Sequence, residues 1–306
     1  MFRKIVLITR KTRLEGLIER FNTRSQAKFY IEHAGGDFAD YEREDDAYRG
    51  SLDLLRRALD FGMPVQVVDR SLIPTFQFQK EDAVVTLGQD GLVANTAKYA
   101  GFQPIVAFNP EPSRFDGILV PFLPNQARLA LTRVFENRAK VREITIAAVT
   151  LNDGQRLLAF NDLFLGARTH VSALYRISCG DRSEVQSSSG VLVSTGAGST
   201  GWVSSAFNMA SGIAGFRGGA PIERIQMSWE DPRLLYVVRE PFLSRHSEVG
   251  IVAGIIQGGE SLVLESLMPS GGVIFSDGIE SDYLEFNSGS VARISTAEQR
   301  ARLVVS

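Results

Sequence analysis

Apolar positions in the first part of the chain follow two alternating rhythms. Residues 5–8 are a short unbroken apolar run, closed by Thr9, Arg10 and Lys11, and read as a buried strand. Leu14, Leu17, Ile18 and Phe21 then fall at i, i+3, i+4 and i+7, one face of a helix. Asn22, Thr23, Arg24 and Ser25 interrupt that face, and Ser25 is placed to cap a second short helix carrying Phe29 and Ile31. The acidic stretch 40–46 predicts an exposed loop or first helical turn. Leu52, Leu55 and Leu59 mark a further helix, stopped by Gly62. Residues 65–68, 83–87 and 105–108 read as buried strands, and 92–100 as a helix ended by Gly101. Strands alternating with helices imply a parallel sheet in a Rossmann-like α/β domain.

The rhythm changes near residues 122–138. Short β-branched runs follow at 143–149, 157–159, 163–165, 172–177, 191–194, 234–238, 248–253 and 262–265, with one helix at 200–209. Turn chemistry separates them, as at Asn152-Asp153-Gly154 and Ser270-Gly271-Gly272. The expected fold is therefore an α/β domain over residues 1–123 followed by a mostly β domain over 124–306, whose last segment is free to return to the first.

The formal net charge is −2 with both signs mixed along the chain, which argues against a nucleic-acid binder. Arg300 and Arg302 read as solvated surface. Cys179 is the single cysteine, so neither an intrachain disulfide nor a thiolate-rich metal site is expected. His33, His170 and His246 lie far apart and form no recognisable ligand set, so no protein-held metal is expected. The N-terminal apolar run is too short for a signal peptide or a membrane span, and the cytoplasm is the simplest placement.

Two glycine-rich turns carry candidate chemistry. Gly88-Gln89-Asp90-Gly91 joins a strand to a helix, the geometry that aims backbone N–H groups at an anion; an ordinary turn would look the same. Gly196, Gly198 and Gly201 spell G-x-G-x-x-G, but in the β-rich half, without a surrounding βαβ pattern. No lysine precedes Ser199-Thr200. Neither a Rossmann dinucleotide site nor a P-loop is expected there.

The segment from Leu87 to Leu92 resembles the Gly-Gly-Asp-Gly-Thr signature of NAD kinases and their lipid- and sugar-kinase relatives. Asn109, with Glu111, Pro112, Arg114 and Gly117 behind it, is similar to the divergent branch that includes the animal mitochondrial enzymes. Asn161-Asp162 stands where the family has Asn-Glu. Ser188-Ser189-Gly190 with 194–199, Arg239-Glu240-Pro241 and Asp277-Gly278 with 286–289 continue the order. The resemblance implies an NAD kinase-like two-domain protein that uses ATP or polyphosphate, with Mg²⁺, to phosphorylate NAD. It implies a role for Asp90 at the reacting hydroxyl, for Gly88 and Gly91 at phosphates, and for Asn109, Asn161, Asp162, Thr195, Thr200, Trp202 and Ser205 in nucleotide binding. It further implies a homo-oligomer; no long exposed apolar segment suggests membrane docking.

Two residues depart from the signature: Gln89 replaces a glycine and Leu92 a threonine. A left-handed backbone at Gln89 would cost about 1–2 kcal/mol. The alternatives are a non-catalytic NAD-binding homologue, or a relative acting on a lipid or other hydroxyl.

Overall fold

The computed structural model describes residues 2–306. The chain divides into two units, Met1–Arg142 with Arg302–Ser306, and Glu143–Ala301.

The first unit runs β1 (Lys4–Thr9), α1 (Arg13–Phe21), α2 (Arg24–His33), α3 (Phe38–Ala58), β2 (Val65–Asp69), β3 (Asp82–Leu87), α4 (Asp90–Tyr99), β4 (Pro104–Phe108) and α5 (Ala127–Phe135). Its strands are parallel in the order β2-β1-β3-β4, and Arg302 and Leu303 add in parallel beside Pro104 and Ile105. One face of the sheet, with Ile5, Leu7, Val85 and Val106, packs on Tyr48 and Leu55 of α3 and on Ala130 and Leu131 of α5. Strands covered on both faces need apolar residues throughout, which is why these runs are unbroken. The chain leaves β1 toward β2 and returns to β3 on the other side, so the order reverses between β1 and β3. A crevice outside the carboxyl ends of strands at such a point is where open α/β sheets bind ligands.

Local details differ from expectation for identifiable reasons. The cap of α2 is Thr23, whose hydroxyl accepts from the Gln26 N–H, not Ser25. The acidic stretch takes the helical alternative, beginning in the first turn of α3 and running on beyond it. Glu44 and Asp45 are buried there because Arg10, Arg13 and Arg49 pair with them. The helix α5 occupies the segment where the rhythm changes.

The second unit comprises β5 (Lys140–Leu151, which begins in the first), β6 (Arg156–Ala159), β7 (Asp162–Ala167), β8 (Ala173–Cys179), β9 (Arg182–Ser188), β10 (Val191–Ser194), α6 (Trp202–Phe216), β11 (Leu234–Val238), β12 (Ala253–Ile256), β13 (Leu262–Ser266), β14 (Gly272–Ser276), β15 (Ile279–Glu285) and β16 (Val291–Val305). One sheet is antiparallel throughout, in the order β12-β11-β10-β7-β14-β15. Its Leu163, Leu165, Val191 and Ile274 share a core with Tyr175, Leu264 and Ile294 of the other strands. The period of two sends Phe164 and Leu192 to the opposite face, where α6 brings Trp202 against them.

Residues 248–252 are not strand; β12 starts at Ala253. The polar β9 escapes the apolar pattern because its buried side chains satisfy one another: the Gln186 amide donates to Glu184 and to the Ile251 carbonyl. Arg300 and Arg302 are half-buried and bonded rather than freely solvated. Arg300 donates to the Thr145 hydroxyl and Arg302 to the Phe102 carbonyl. Among the described residues no helix is long and apolar enough to cross a membrane.

Candidate functional site

In the first unit, Tyr48 ties the carboxyl ends of β1 and β3 together. Its hydroxyl accepts from the Arg10 N–H at 3.0 Å and donates to the Leu87 carbonyl at 3.2 Å. Beyond Leu87 the chain turns into α4, and the Gly88 N–H donates to the Phe108 carbonyl of β4. A Cβ at Gly88 would lie 2.8 Å from Leu92 Cδ2, so glycine here makes room for the buried Leu92. At Gly91 a Cβ would meet nothing within 4 Å. The backbone of the first turn of α4 is thus open at Gly91, with the N–H groups of a helix start available to an anion. Gln89 has φ −99° and ψ 172°, extended backbone that any residue adopts, so the left-handed cost does not arise.

Asp90 is the first residue of α4, but it does not cap the helix. One carboxylate oxygen accepts from the Leu119 N–H at 2.8 Å and the other from the Ile118 N–H at 3.2 Å. The intervening loop is organised from within. Asn109 accepts from the Glu111 N–H and donates to the Phe115 carbonyl, so both ends of its buried amide are used. Gly117, at φ +65°, passes so close to the Asn109 amide that a Cβ would sit 2.7 Å from it. Arg114 forks onto Asp40 of α3 at 3.1 and 2.7 Å.

A cavity of about 640 Å³ opens beside the ends of β1 and β2, with Arg10, Lys11, Tyr48, Arg56 and Asp69 among its walls. The Arg10 guanidinium lies 4.9 Å from the Tyr48 ring, and its buried Nε makes no hydrogen bond. Its Nη atoms are already engaged, one by the Glu44 carboxylate and one by the Lys11 carbonyl, each at 3.0 Å.

In the second unit, the start of β7 and the ends of β10 and β14 converge. The Asp277 carboxylate accepts from the N–H groups of Phe160, Asn161 and Asp162 at 3.0, 2.6 and 3.3 Å. The Asn161 carbonyl accepts from the Thr195 N–H at 2.9 Å. Asp162 is 7 % exposed; burial pushes its carboxyl pKa up to about 7, with the Asp277 charge adding to the effect. Among the described residues no group donates a hydrogen bond to that carboxyl. A buried acceptor left in this way suits a hydroxyl or amide donor from a ligand.

The neighbouring glycines serve packing. A Cβ at Gly196 would lie 1.8 Å from the Ser228 carbonyl oxygen, and one at Gly198 2.2 Å from that of Asn161. Thr195 is buried and donates to the Phe160 carbonyl at 2.6 Å. Trp202 is half-buried and stacks on Phe164 and Phe275, at 5.6 and 6.3 Å between centroids, with the Arg239 guanidinium 5.4 Å from its ring.

No known protein-family profile matches this chain, and no curated protein sequence matches it. Solved structures do. A yeast NADH kinase complexed with NADH superposes with a TM-score of 0.59 at 18 % identity, over 100 % of this chain and 84 % of that one. An NAD kinase from Archaeoglobus fulgidus in complex with ATP gives 0.53 at 16 % identity, over 98 % and 93 %. The chain has the fold of the NAD kinases.

On this NAD kinase fold the residues singled out from sequence fall into separate groups. Gly88, Asp90, Gly91 and Asn109 gather at the ends of β3 and β4 in the first unit. Asn161, Asp162 and Thr195 gather in the second. Trp202 belongs to an aromatic stack, and Thr200 and Ser205 stand exposed at the start of α6. Sequence reasoning assigned nothing to Tyr48 or Arg10, which only the fold brings to the strand ends. Asp277 was marked as part of a motif, and its clasp on three backbone N–H groups has no signature in sequence. Among the described residues no three histidine, cysteine or acidic side chains come together as a metal cage.

Proposed function

We propose that the chain is an NAD kinase-type phosphotransferase, moving the terminal phosphoryl group of ATP, or of polyphosphate, to the adenosine-ribose 2′-hydroxyl of NAD. The observation that carries this reading is Asp90, held at the start of α4 at the carboxyl edge of a sheet whose fold is that of NAD kinases. The yeast structure contains NADH and the archaeal one ATP, the two kinds of ligand such a reaction needs.

The bond formed joins the 2′-oxygen to the terminal phosphorus; the bond broken is the bridging P–O bond to the departing ADP, or to the polyphosphate chain shortened by one unit. Asp90 orients the hydroxyl and accepts its proton. The open backbone at Gly91 takes donor phosphates. Asp162 and Asn161 hold the dinucleotide through its hydroxyl or amide groups. A magnesium ion carried on the phosphate oxygens would neutralise their charge. We place the protein in the cytoplasm as a homo-oligomer.

A second reading, a non-catalytic NAD-binding homologue, draws on the engagement of both Asp90 carboxylate oxygens by backbone N–H groups. Incubation with NAD, Mg²⁺ and either ATP or polyphosphate separates the two: NADP formation supports the phosphotransferase, and NAD-dependent thermal stabilisation without NADP supports the binder. For the phosphotransferase, Asp90→Asn lowers turnover by roughly 10²–10⁴ and leaves NAD binding in place; unchanged turnover removes Asp90 from the chemistry.

A further inference from the structure

The loop 109–119 is fastened at two points. At one, Ile118 and Leu119 hold the Asp90 carboxylate. At the other, Arg114 makes a two-pronged ion pair with Asp40, which also receives Arg13 at 2.8 Å. Those contacts hold the Asp40 carboxyl well below the usual carboxylate range, the hydrogen bond from Arg114 being the largest cause. At the start of the loop, Asn109 spends both ends of its amide inside it. The Gly117 backbone packs against Asn109 and against Val120 Cγ2, where a Cβ would sit at 2.7 and 2.4 Å. The loop therefore has little internal freedom, and a shift at Arg114 passes to the amides at 118 and 119. A carboxylate held by two donors has its rotamer set by where those donors stand.

We propose that Arg114 and Asp40 are positioning residues: through loop 109–119 they fix the Ile118 and Leu119 amides that set the orientation of Asp90. This rests on the phosphotransferase reading, and neither residue touches substrate in it. A fork of this kind is geometric, so lysine, which offers a point charge, replaces arginine only in part.

The test uses the full chain and two independent readouts, amide hydrogen exchange over residues 115–120 and steady-state NADP formation. Arg114→Ala is expected to speed exchange there about tenfold, leave the strands protected, and lower kcat about tenfold with KM for NAD unchanged. Arg114→Lys falls between, and Asp40→Asn, which keeps the size but removes the charge that Arg114 and Arg13 share, moves both readouts the same way as Arg114→Ala. Arg24→Ala, which removes the pair to Glu42 between α2 and α3, serves as control and changes neither. Wild-type exchange in Arg114→Ala overturns the proposal, as does faster exchange with unchanged kcat. If Arg114→Ala loosens the whole chain, Arg114→Lys decides: with the strands still protected, unchanged exchange over 115–120 or unchanged kcat overturns the proposal. A wild-type protein that forms no NADP defeats the phosphotransferase reading, while the exchange result still decides whether Arg114 holds the loop.

Discussion

Gly196 and Gly91 lack a side chain for opposite reasons. At Gly196 a Cβ would press on the Ser228 carbonyl at 1.8 Å, so Gly196→Ala forces the backbone apart and costs about 3 kcal/mol or more in a denaturant melt. At Gly91 a Cβ enters open space, so Gly91→Ala folds at least as well, gaining up to about 1 kcal/mol of helix propensity, while filling the approach to the first turn of α4 and lowering turnover. Both glycines sit in turns that look alike in sequence; only the position of another backbone segment tells them apart. Gln89 teaches the same lesson in reverse, since its departure from the glycine signature is costless in an extended backbone. Asp162 gives a pH signature. Its pKa is raised on folding, so between about pH 4 and 7 the folded chain keeps a proton that the unfolded chain has released. The stability from this group is greatest at the acidic end of that window and is lost as pH rises toward 7. Asp162→Asn removes this slope; thermal melts of wild type and variant across the window that run parallel would contradict it.

At the scale of elements, the parallel strands and α1 are legible because their apolar residues follow the element period, whereas α3 hides its buried acids behind an ion-pair net. Glu44 and Asp45 look solvent-facing by type and are internal by pairing. Similarly, β9 is an edge strand written in polar residues, and it buries one face because Gln186, Glu184 and Tyr175 satisfy each other. The junction of α3 with the strand ends makes its own prediction. Tyr48→Phe removes the hydroxyl that links the Arg10 N–H to the Leu87 carbonyl and leaves both groups short of a partner. At about 0.5–1.5 kcal/mol per hydrogen bond, the loss is about 1–3 kcal/mol, read as a lower midpoint in urea with an unchanged slope. An unchanged midpoint would mean that water replaces the hydroxyl.

At the scale of the whole chain, the change from βα alternation to short β runs is enough to give the fold class, because each class must bury its apolar faces in its own way. The ordered motifs from Gly88 to Asp277 point to the same NAD kinase fold that the yeast and archaeal structures share with this chain. What no pattern of residues conveys is how the convergence at Asp162 and the latch on Asp90 are built, since each depends on backbone groups far apart in sequence. Phosphoryl transfer to NAD is the central claim, and the most direct measurement is NADP formation by the purified chain with NAD, Mg²⁺ and ATP or polyphosphate, run beside Asp90→Asn. The account predicts NADP from the wild type and roughly 10²–10⁴ less from the variant. No NADP from the wild type with either donor, in a sample that NAD stabilises against heat, would contradict it.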